Sequence, residues 1–255
     1  MNIIVLMAGR GQRFRDKGYT IPKPLIPVNG KTILEWTTES CPYIMHGGVD
    51  QTPNIRLYFA VLEDYINDGL VEFLHRTYGK NISIIPFTHV TRGSLDTAYI
   101  VTKLIPPQHQ RDPLLVLDSD NKYSENGMVN FYDSLPNRIN TMSVACFNNP
   151  DISLPNKWSN VKIENGTVVG IREKDDAWII YPKMIGVFYF NDTAYFKNEA
   201  DYIMTYESPV GFASTPEFYM SMVACRNIKS TYAHIVENVV PLGTPEQLQQ
   251  FMEEA

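Results

Sequence analysis

The chain opens on six apolar residues, Ile3-Ile4-Val5-Leu6-Met7-Ala8, that run directly into Gly9-Arg10-Gly11-Gln12-Arg13-Phe14. An unbroken apolar run bounded by glycine suits a strand covered on both faces, as in a parallel sheet. Gly9 and Gly11 permit backbone angles and close approaches that a side chain would block. Successive N–H groups in such a turn form a nest for an anion. Between Gly9 and Lys23 stand Arg10, Arg13, Arg15, Lys17 and Lys23 against one acid, Asp16, in a chain of net charge −6. A buried strand, a glycine turn and several cations together suit a polyphosphate. The plainer reading is a solvated loop; the coincidence of glycines, cations and the Pro22-Lys23-Pro24-Leu25 frame argues against it.

Two similar patterns do not apply. Gly9-x-Gly11 lacks the third glycine of a dinucleotide fingerprint, because Phe14 stands at that position. Gly30-Lys31-Thr32 ends like a P-loop, but Leu25 stands where its first glycine belongs. Asn29-Gly30 reads instead as a turn before a helix through Ile33, Leu34 and Trp36.

Further along, strands are expected at Ile3–Ala8, Ile55–Leu62, Ile82–Pro86, Leu114–Leu117 and Met142–Phe147. Helical spacing appears at Ile66, Leu70, Phe73 and Leu74, and again from Leu95 through Ala98 to Ile105. This alternation predicts an α/β fold with a mostly parallel sheet flanked by helices, and ligands beyond the carboxyl ends of its strands. Gly9 and Asp120 both fall at that edge. The pattern then changes: Val161–Glu164, Asn165-Gly166 and Thr167–Val169 predict a hairpin, and Met184–Phe190 another strand. Helices are expected near Ala194–Met204 and Thr215–Ala224. Thr244-Pro245-Glu246-Gln247 has the form of a capping box opening a last helix. We expect a single domain over 1–255, with residues 1–150 as the core and 151–255 as a smaller hairpin-containing region with closing helices.

Composition narrows the classes. With 255 residues, 44% hydrophobic and 20% charged, the chain has ordinary globular values. Its acidity gives no support to nucleic-acid binding. Cys41, Cys146 and Cys225 are widely spaced and read as reduced thiols of a cytoplasmic protein. No charged leader precedes the apolar start and no apolar stretch reaches about 18 residues, so secretion and membrane spanning are not expected. The five histidines (His46, His75, His89, His109, His234) have no ligand spacing, and no G-x-S-x-G elbow occurs.

Leu114-Leu115-Val116-Leu117-Asp118-Ser119-Asp120-Asn121 sets two carboxylates at a strand end, where Mg²⁺ is suited by carboxylates, water and phosphate oxygens. Either aspartate would alternatively cap a turn. In Thr91-Arg92-Gly93-Ser94-Leu95-Asp96-Thr97-Ala98, Gly93 would allow close approach of a flat ligand and Ser94 would cap the helix.

Leu6 through Phe14 followed by Pro22-Lys23-Pro24-Leu25 resembles the signature of the sugar-phosphate nucleotidyltransferases, which have a glycosyltransferase-A-like, Rossmann-related fold. That family includes relatives that form CDP products from phosphocholine-type acceptors. The resemblance is specific at the N-terminus and weaker after about residue 190. It implies nucleotide binding by Ala8, Gly9, Arg10, Gly11, Gly93, Ser94 and Asp118, catalytic roles for Arg13 and Lys23, and Mg²⁺ on Asp120. It further implies that Gly170-Ile171-Arg172-Glu173-Lys174 faces the acceptor. Lys174 would meet the acceptor phosphate and Glu173 its hydroxyls or amine, with Gly186 on the strand behind giving access to the ligand. Trp178 is a candidate lining residue. One departure stands out: many members carry a late D-x-G-T metal aspartate, whereas this chain has Val240-Pro241-Leu242-Gly243-Thr244. Glu217 and Glu237 are the replacement candidates.

The implied reaction is transfer of a nucleotidyl group from a nucleoside triphosphate to a phosphorylated acceptor, a sugar phosphate or a small phosphorylated alcohol or amide, with release of pyrophosphate. The expected partners are these small molecules, not nucleic acid or membrane; homo-oligomerisation is left open. Two other classes remain: a metal-dependent glycosyltransferase using Asp118-x-Asp120, and a non-catalytic nucleotide sensor.

Overall fold

A computed structural model describes residues 1–44, 54–135, 141–148, 157–206 and 217–254. His46 and residues 215–216 of the helix expected at Thr215–Ala224 lie outside the described residues. The strands are β1 (Asn2–Met7), β2 (Pro27–Val28), β3 (Lys31–Thr32), β4 (Arg56–Leu62), β5 (Ser83–Phe87), β6 (Leu114–Asp118), β7 (Asn121–Lys122), β8 (Met142–Phe147), β9 (Ser159–Glu164), β10 (Thr167–Glu173), β11 (Lys183–Phe190), β12 (Thr231–Ile235) and β13 (Val240–Pro241). The helices are α1 (Gln12–Asp16), α2 (Ile33–Thr38), α3 (Glu63–Tyr65), α4 (Val71–Tyr78), α5 (Ser94–Leu104), α6 (Glu125–Asp133), α7 (Thr193–Tyr206), α8 (Ser221–Arg226) and α9 (Pro245–Glu253).

One sheet of nine strands, in the order β5-β4-β1-β6-β11-β8-β12-β10-β9, forms the centre. β5, β4, β1 and β6 are parallel, and Ile3, Ile4 and Val5 of β1 are wholly buried, as expected for a strand covered on both faces. The α/β class inferred from the alternation holds. Beyond β6 the sheet is mixed, because β11 lies antiparallel between β6 and β8. The predicted hairpin is β9–β10, turned by Asn165 (φ 51°) and Gly166 (φ 75°). It continues the main sheet through β12, and Lys183 of β11 pairs back to Asn160 of β9.

Register positions the site. β1 and β6 pair Leu6 with Asp118, so Ala8 and Asp120 leave the same carboxyl edge side by side. β11 pairs Val187 with Leu117, so the next step brings Gly186 opposite Asp118. A second small core of Phe14, Ile26, Val28, Ile33, Leu242, Leu248 and Phe251 packs α1 and α9 together behind this edge. Cys41, Cys146 and Cys225 are free thiols. Among the described residues no helix is long and apolar enough to cross a membrane.

Candidate active site

The glycine turn after β1 is held from three sides. Tyr65 Oη donates to the Gly9 carbonyl at 3.0 Å. Gly11 sits at φ 61°, and a Cβ there would stand 3.2 Å from Lys23 Cβ, so the turn rests on the lysine stem. Arg15 Nε donates to the Arg10 carbonyl at 3.2 Å, and its guanidinium lies 5.7 Å from the Tyr65 ring centre. Arg15 therefore shapes the loop, while Lys17 pairs with Glu246 at the surface, 3.5 Å apart. Ala8 is buried beneath the turn, and Arg10 is exposed beside it.

Two adjoining cavities bring most of the expected residues together. One of about 240 Å³ is lined by Gly9, Gly11, Lys23, Asp118 and Asp120, with Leu6, Met7, Pro24 and Ser119. The other, about 990 Å³, shares Asp118 and Asp120 and extends past Arg13, Ser94 and Gly186 to Glu173 and Lys174. Lys23 Nζ donates to Asp120 Oδ2 at 2.6 Å. These side chains are 18% and 28% exposed, so the ion pair is partly desolvated yet open to the cavities. Asn121 Nδ2 lies 3.3 Å from Asp120 Oδ1. Burial raises the Asp118 carboxyl to about 7, the Asp120 charge adds to this, and Lys23 opposes it.

Two of the expected ligand-side glycines, Gly186 and Gly93, also make room for the protein's own atoms. A Cβ on Gly186 would stand 2.2 Å from Asp118 Oδ2, so its open space is filled by that carboxylate. Gly93, at φ 135°, would place a Cβ 2.3 Å from the Phe218 carbonyl oxygen; that space holds backbone, not a flat ligand. Ser94 does not cap α5. Its Oγ accepts from Met220 N at 3.1 Å. Asp96 instead accepts from Arg92 N and Nε, both at 3.1 Å.

At the far end of the cavity, Glu173 Oε2 lies within hydrogen-bond reach of the Ser159 and Ser221 hydroxyls, the latter at 3.2 Å. Burial raises the Glu173 carboxyl, against the hydrogen bond from Ser159 and the charge of Lys174. Lys174 Nζ donates to Tyr219 Oη at 2.7 Å. Partial burial lowers the ammonium, but Tyr219, Glu173 and Glu217 outweigh it, so its pKa lies above the ordinary lysine value. Trp178 packs on Gly170, Arg172 and Tyr181; it is Trp158 that lines the cavity. Ser159, Tyr219 and Ser221 carried no sequence signal, since each gains its meaning from partners distant in the chain.

The late segment does reach Asp120. Leu242 N donates to the Asp120 carbonyl at 2.7 Å, and a Cβ on Gly243 would stand 3.0 Å from Asp120 Oδ2. Pro241 pairs with Asn121 and lines the cavity, bringing no carboxylate. Glu217 is 3.8 Å from Lys174 Nζ and accepts from Tyr219 Oη, which assigns it to the lysine cluster in place of the metal position. Glu237 is exposed beyond β12, its carbonyl accepting from Ser124 Oγ at 2.8 Å. Among the described residues no three His, Cys, Asp or Glu side chains are grouped to hold a metal.

Residues 2–212 match the family described as nucleotidyl transferase. The chain belongs to that family. A 120-residue stretch is 32% identical to the N-acetylmuramate alpha-1-phosphate uridylyltransferase of Neisseria meningitidis serogroup B, and covers 47% of this chain and 47% of that one. A 70-residue stretch is 36% identical to the UTP–glucose-1-phosphate uridylyltransferase of Synechocystis, covering 27% of this chain and 17% of that one. The alignment with the first relative thus spans about half its length. The fold is shared with a nucleoside-diphosphate-sugar pyrophosphorylase of Vibrio cholerae RC9, with TM-score 0.78, 20% identity, and coverage of 99% and 100% of the two chains. It is also shared with the inositol-1-phosphate CTP transferase of T. maritima, with TM-score 0.70, 14% identity, and coverage of 99% and 95%.

Proposed function

We propose that this nucleotidyl transferase family member moves a nucleotidyl group from a nucleoside triphosphate to a sugar phosphate or similar phosphorylated acceptor, releasing pyrophosphate. The observation that carries this is one continuous cavity bordered by Arg13, Asp118 and Asp120 at one end and by Glu173 and Lys174 at the other. The triphosphate lies on the Gly9–Arg13 turn, with Arg13 and Lys23 on its phosphates. The acceptor lies toward Glu173, which takes hydrogen bonds from its hydroxyls, and Lys174, which holds its phosphate. An acceptor phosphate oxygen attacks the α-phosphorus in line as the bond to the β-phosphate oxygen breaks. A phosphate monoester is already anionic at neutral pH, so the chain's task is positioning and charge neutralisation. The names of the curated relatives support a sugar 1-phosphate as acceptor and make UTP the first donor to test.

Mg²⁺ suits the donor set here: two neighbouring carboxylates, with Asp118 raised by burial first and by the Asp120 charge second, gain from a hard cation. Asp120 would hold it and Asp118 would be the second ligand. When bound it would neutralise phosphate oxygens.

The test is pyrophosphate release with Mg²⁺, using UTP, CTP, dTTP, ATP and GTP against a panel of sugar phosphates and small phosphorylated alcohols and amides. Pyrophosphate from one pair is the expected result. Nucleoside diphosphate released from nucleotide sugars would favour a glycosyltransferase. Triphosphate binding without any product would favour a sensor.

A further inference from the structure

The segment from Glu217 to Ser221 runs from the start of α5, where Ser94 lines the cavity, to the Glu173–Lys174 end. Its backbone is fastened to the start of α5. Phe218 N donates to the Arg92 carbonyl at 2.7 Å, and Leu95 N donates to the Phe218 carbonyl at 3.0 Å. Met220 N donates to Ser94 Oγ at 3.1 Å. The Arg92 guanidinium lies 4.8 Å from the Phe218 ring centre, and Gly93 leaves the space that the Phe218 carbonyl fills. From this anchored backbone two side chains reach the other end of the cavity. Tyr219 Oη accepts from Lys174 Nζ at 2.7 Å and donates to Glu217, and the Tyr219 ring centre is 4.6 Å from the same ammonium. Ser221 Oγ reaches Glu173 Oε2 at 3.2 Å.

A lysine side chain has four rotatable bonds and loses considerable entropy when its ammonium is held at one point. Lys174 also sits at φ 50°, in the left-handed region, so its backbone sets an unusual direction for that stem. Tyr219 supplies a hydroxyl and a ring face to one ammonium, which fixes it in advance of any ligand. The hydroxyl has its proton drawn toward Glu217 and accepts from Lys174 Nζ, which favours the charged lysine.

We propose that Tyr219 is a positioning residue that holds the Lys174 ammonium ready for the acceptor's phosphate, and that the 217–221 segment is the strap that delivers it. The idea rests on the acceptor role proposed for Lys174. Its consequence is selective. Loss of the tyrosine hydroxyl weakens recognition of the phosphorylated acceptor and leaves recognition of the nucleotide untouched, because the phosphate-side turn has its own supports in Tyr65 and Lys23.

Tyr219→Phe tests this with two readouts. The first needs no substrate: in protein labelled with ¹³C at lysine Cε, the Lys174 resonance, assigned by its loss in Lys174→Arg, is titrated with pH. The wild type is expected to titrate above the ordinary lysine range and Tyr219→Phe closer to it, with the remaining lysine resonances unchanged as proof of folding. Identical titration in both proteins would overturn the proposal, whatever the reaction proves to be. The second readout is pyrophosphate release. Tyr219→Phe is expected to raise the KM for the acceptor about tenfold, the effect of one charge-assisted hydrogen bond, with the KM for the nucleotide within about twofold. In a Lys174→Met background the same change is expected to add nothing further. Equal rises in both KM values, or an additive loss in that background, would also overturn it. A wild type with a displaced Lys174 titration and no pyrophosphate release would leave the positioning intact and sink the reaction instead.

Discussion

The Asp118 carboxylate stands where a side chain on residue 186 would be: a Cβ added to Gly186 would lie 2.2 Å from Oδ2. Gly186 also holds φ 71°, a conformation that costs an L-residue about 1–2 kcal/mol. Gly186→Ala is therefore expected to displace Asp118 from the cavity wall, lower stability by at least that amount, and cut pyrophosphate release about tenfold or more. Urea unfolding and steady-state rates on the same preparation check both. Wild-type stability and rate together would mean the carboxylate has room to move.

Asp118 also makes stability depend on pH. Its carboxyl goes from an ordinary 3.8 to about 7 in the folded chain, through burial first and the Asp120 charge second. Between these values the folded state binds more protons than the unfolded state, so stability falls as pH rises through this window and levels off above about 7. Asp118→Asn is neutral throughout. It is expected to lose that fall and to exceed the wild type in stability at pH 8 without added metal. Unfolding midpoints at pH 5 and pH 8 decide it; an unchanged slope in the variant would place the titration on another group.

Arg13 is exposed and lines the larger cavity, so its removal should spare the fold. Arg13→Ala is expected to reduce turnover by on the order of 10²–10³, the loss seen when one transition-state charge contact is deleted, with little change in Tm. Lys23→Met should lose as much turnover and stability as well, because Asp120 is left beside Asp118 without its cation. A near-wild-type rate for Arg13→Ala would end its assignment to the phosphates.

Pro241 lines the cavity and pairs with Asn121, the neighbour of Asp120. Pro241→Asp would add a carboxylate at the late segment, beside the Asp118 and Asp120 pair. We expect several-fold tighter binding of Mn²⁺, used as a spectroscopic stand-in for Mg²⁺ and followed by electron paramagnetic resonance. Unchanged affinity would indicate that residue 241 is not turned toward the cation.

Gly93→Ala places a Cβ 2.3 Å from the Phe218 carbonyl oxygen, at a φ of 135° that favours glycine. The strap would have to lift from α5. The expected result is a rise in acceptor KM like that of Tyr219→Phe, accompanied by a lower Tm. Kinetics with the acceptor varied at saturating nucleotide measure it; a selective rise in nucleotide KM would instead support a nucleotide role for Gly93.

Much of the local structure was legible. β1, β8 and the Asn165-Gly166 hairpin follow from apolar runs and turn residues that act over a few neighbours. The last helix begins as its signal predicts, with Thr244 Oγ1 accepting from Gln247 N at 3.3 Å. The reciprocal half departs from a capping box: Gln247 Oε1 accepts at 3.1 Å from the N–H of Gly243, one residue before the cap, beside Asp120. Among the elements not anticipated are β12 and α6. β12 has a mixed composition, and its place is set by pairing with β8 and β10. α6 has weak apolar periodicity; its Ser124 cap accepts from Gly127 N at 3.3 Å.

The candidate site divides in the same way. The Gly9–Lys23 segment, Asp118, Asp120, Glu173 and Lys174 stand out by residue type and spacing, and the cavities do gather Gly9, Gly11, Arg13, Lys23, the two aspartates and the Glu173–Lys174 pair. The sequence by itself determined the apolar strands, the turns and the inventory of charged groups, because each depends on interactions within a turn or two of chain. Only the tertiary structure decided that Gly186 makes room for Asp118, that Gly93 makes room for Phe218, and that Tyr219 reaches Lys174. Those contacts join residues far apart in the chain, and no local pattern encodes which distant atom will fill the space a glycine leaves.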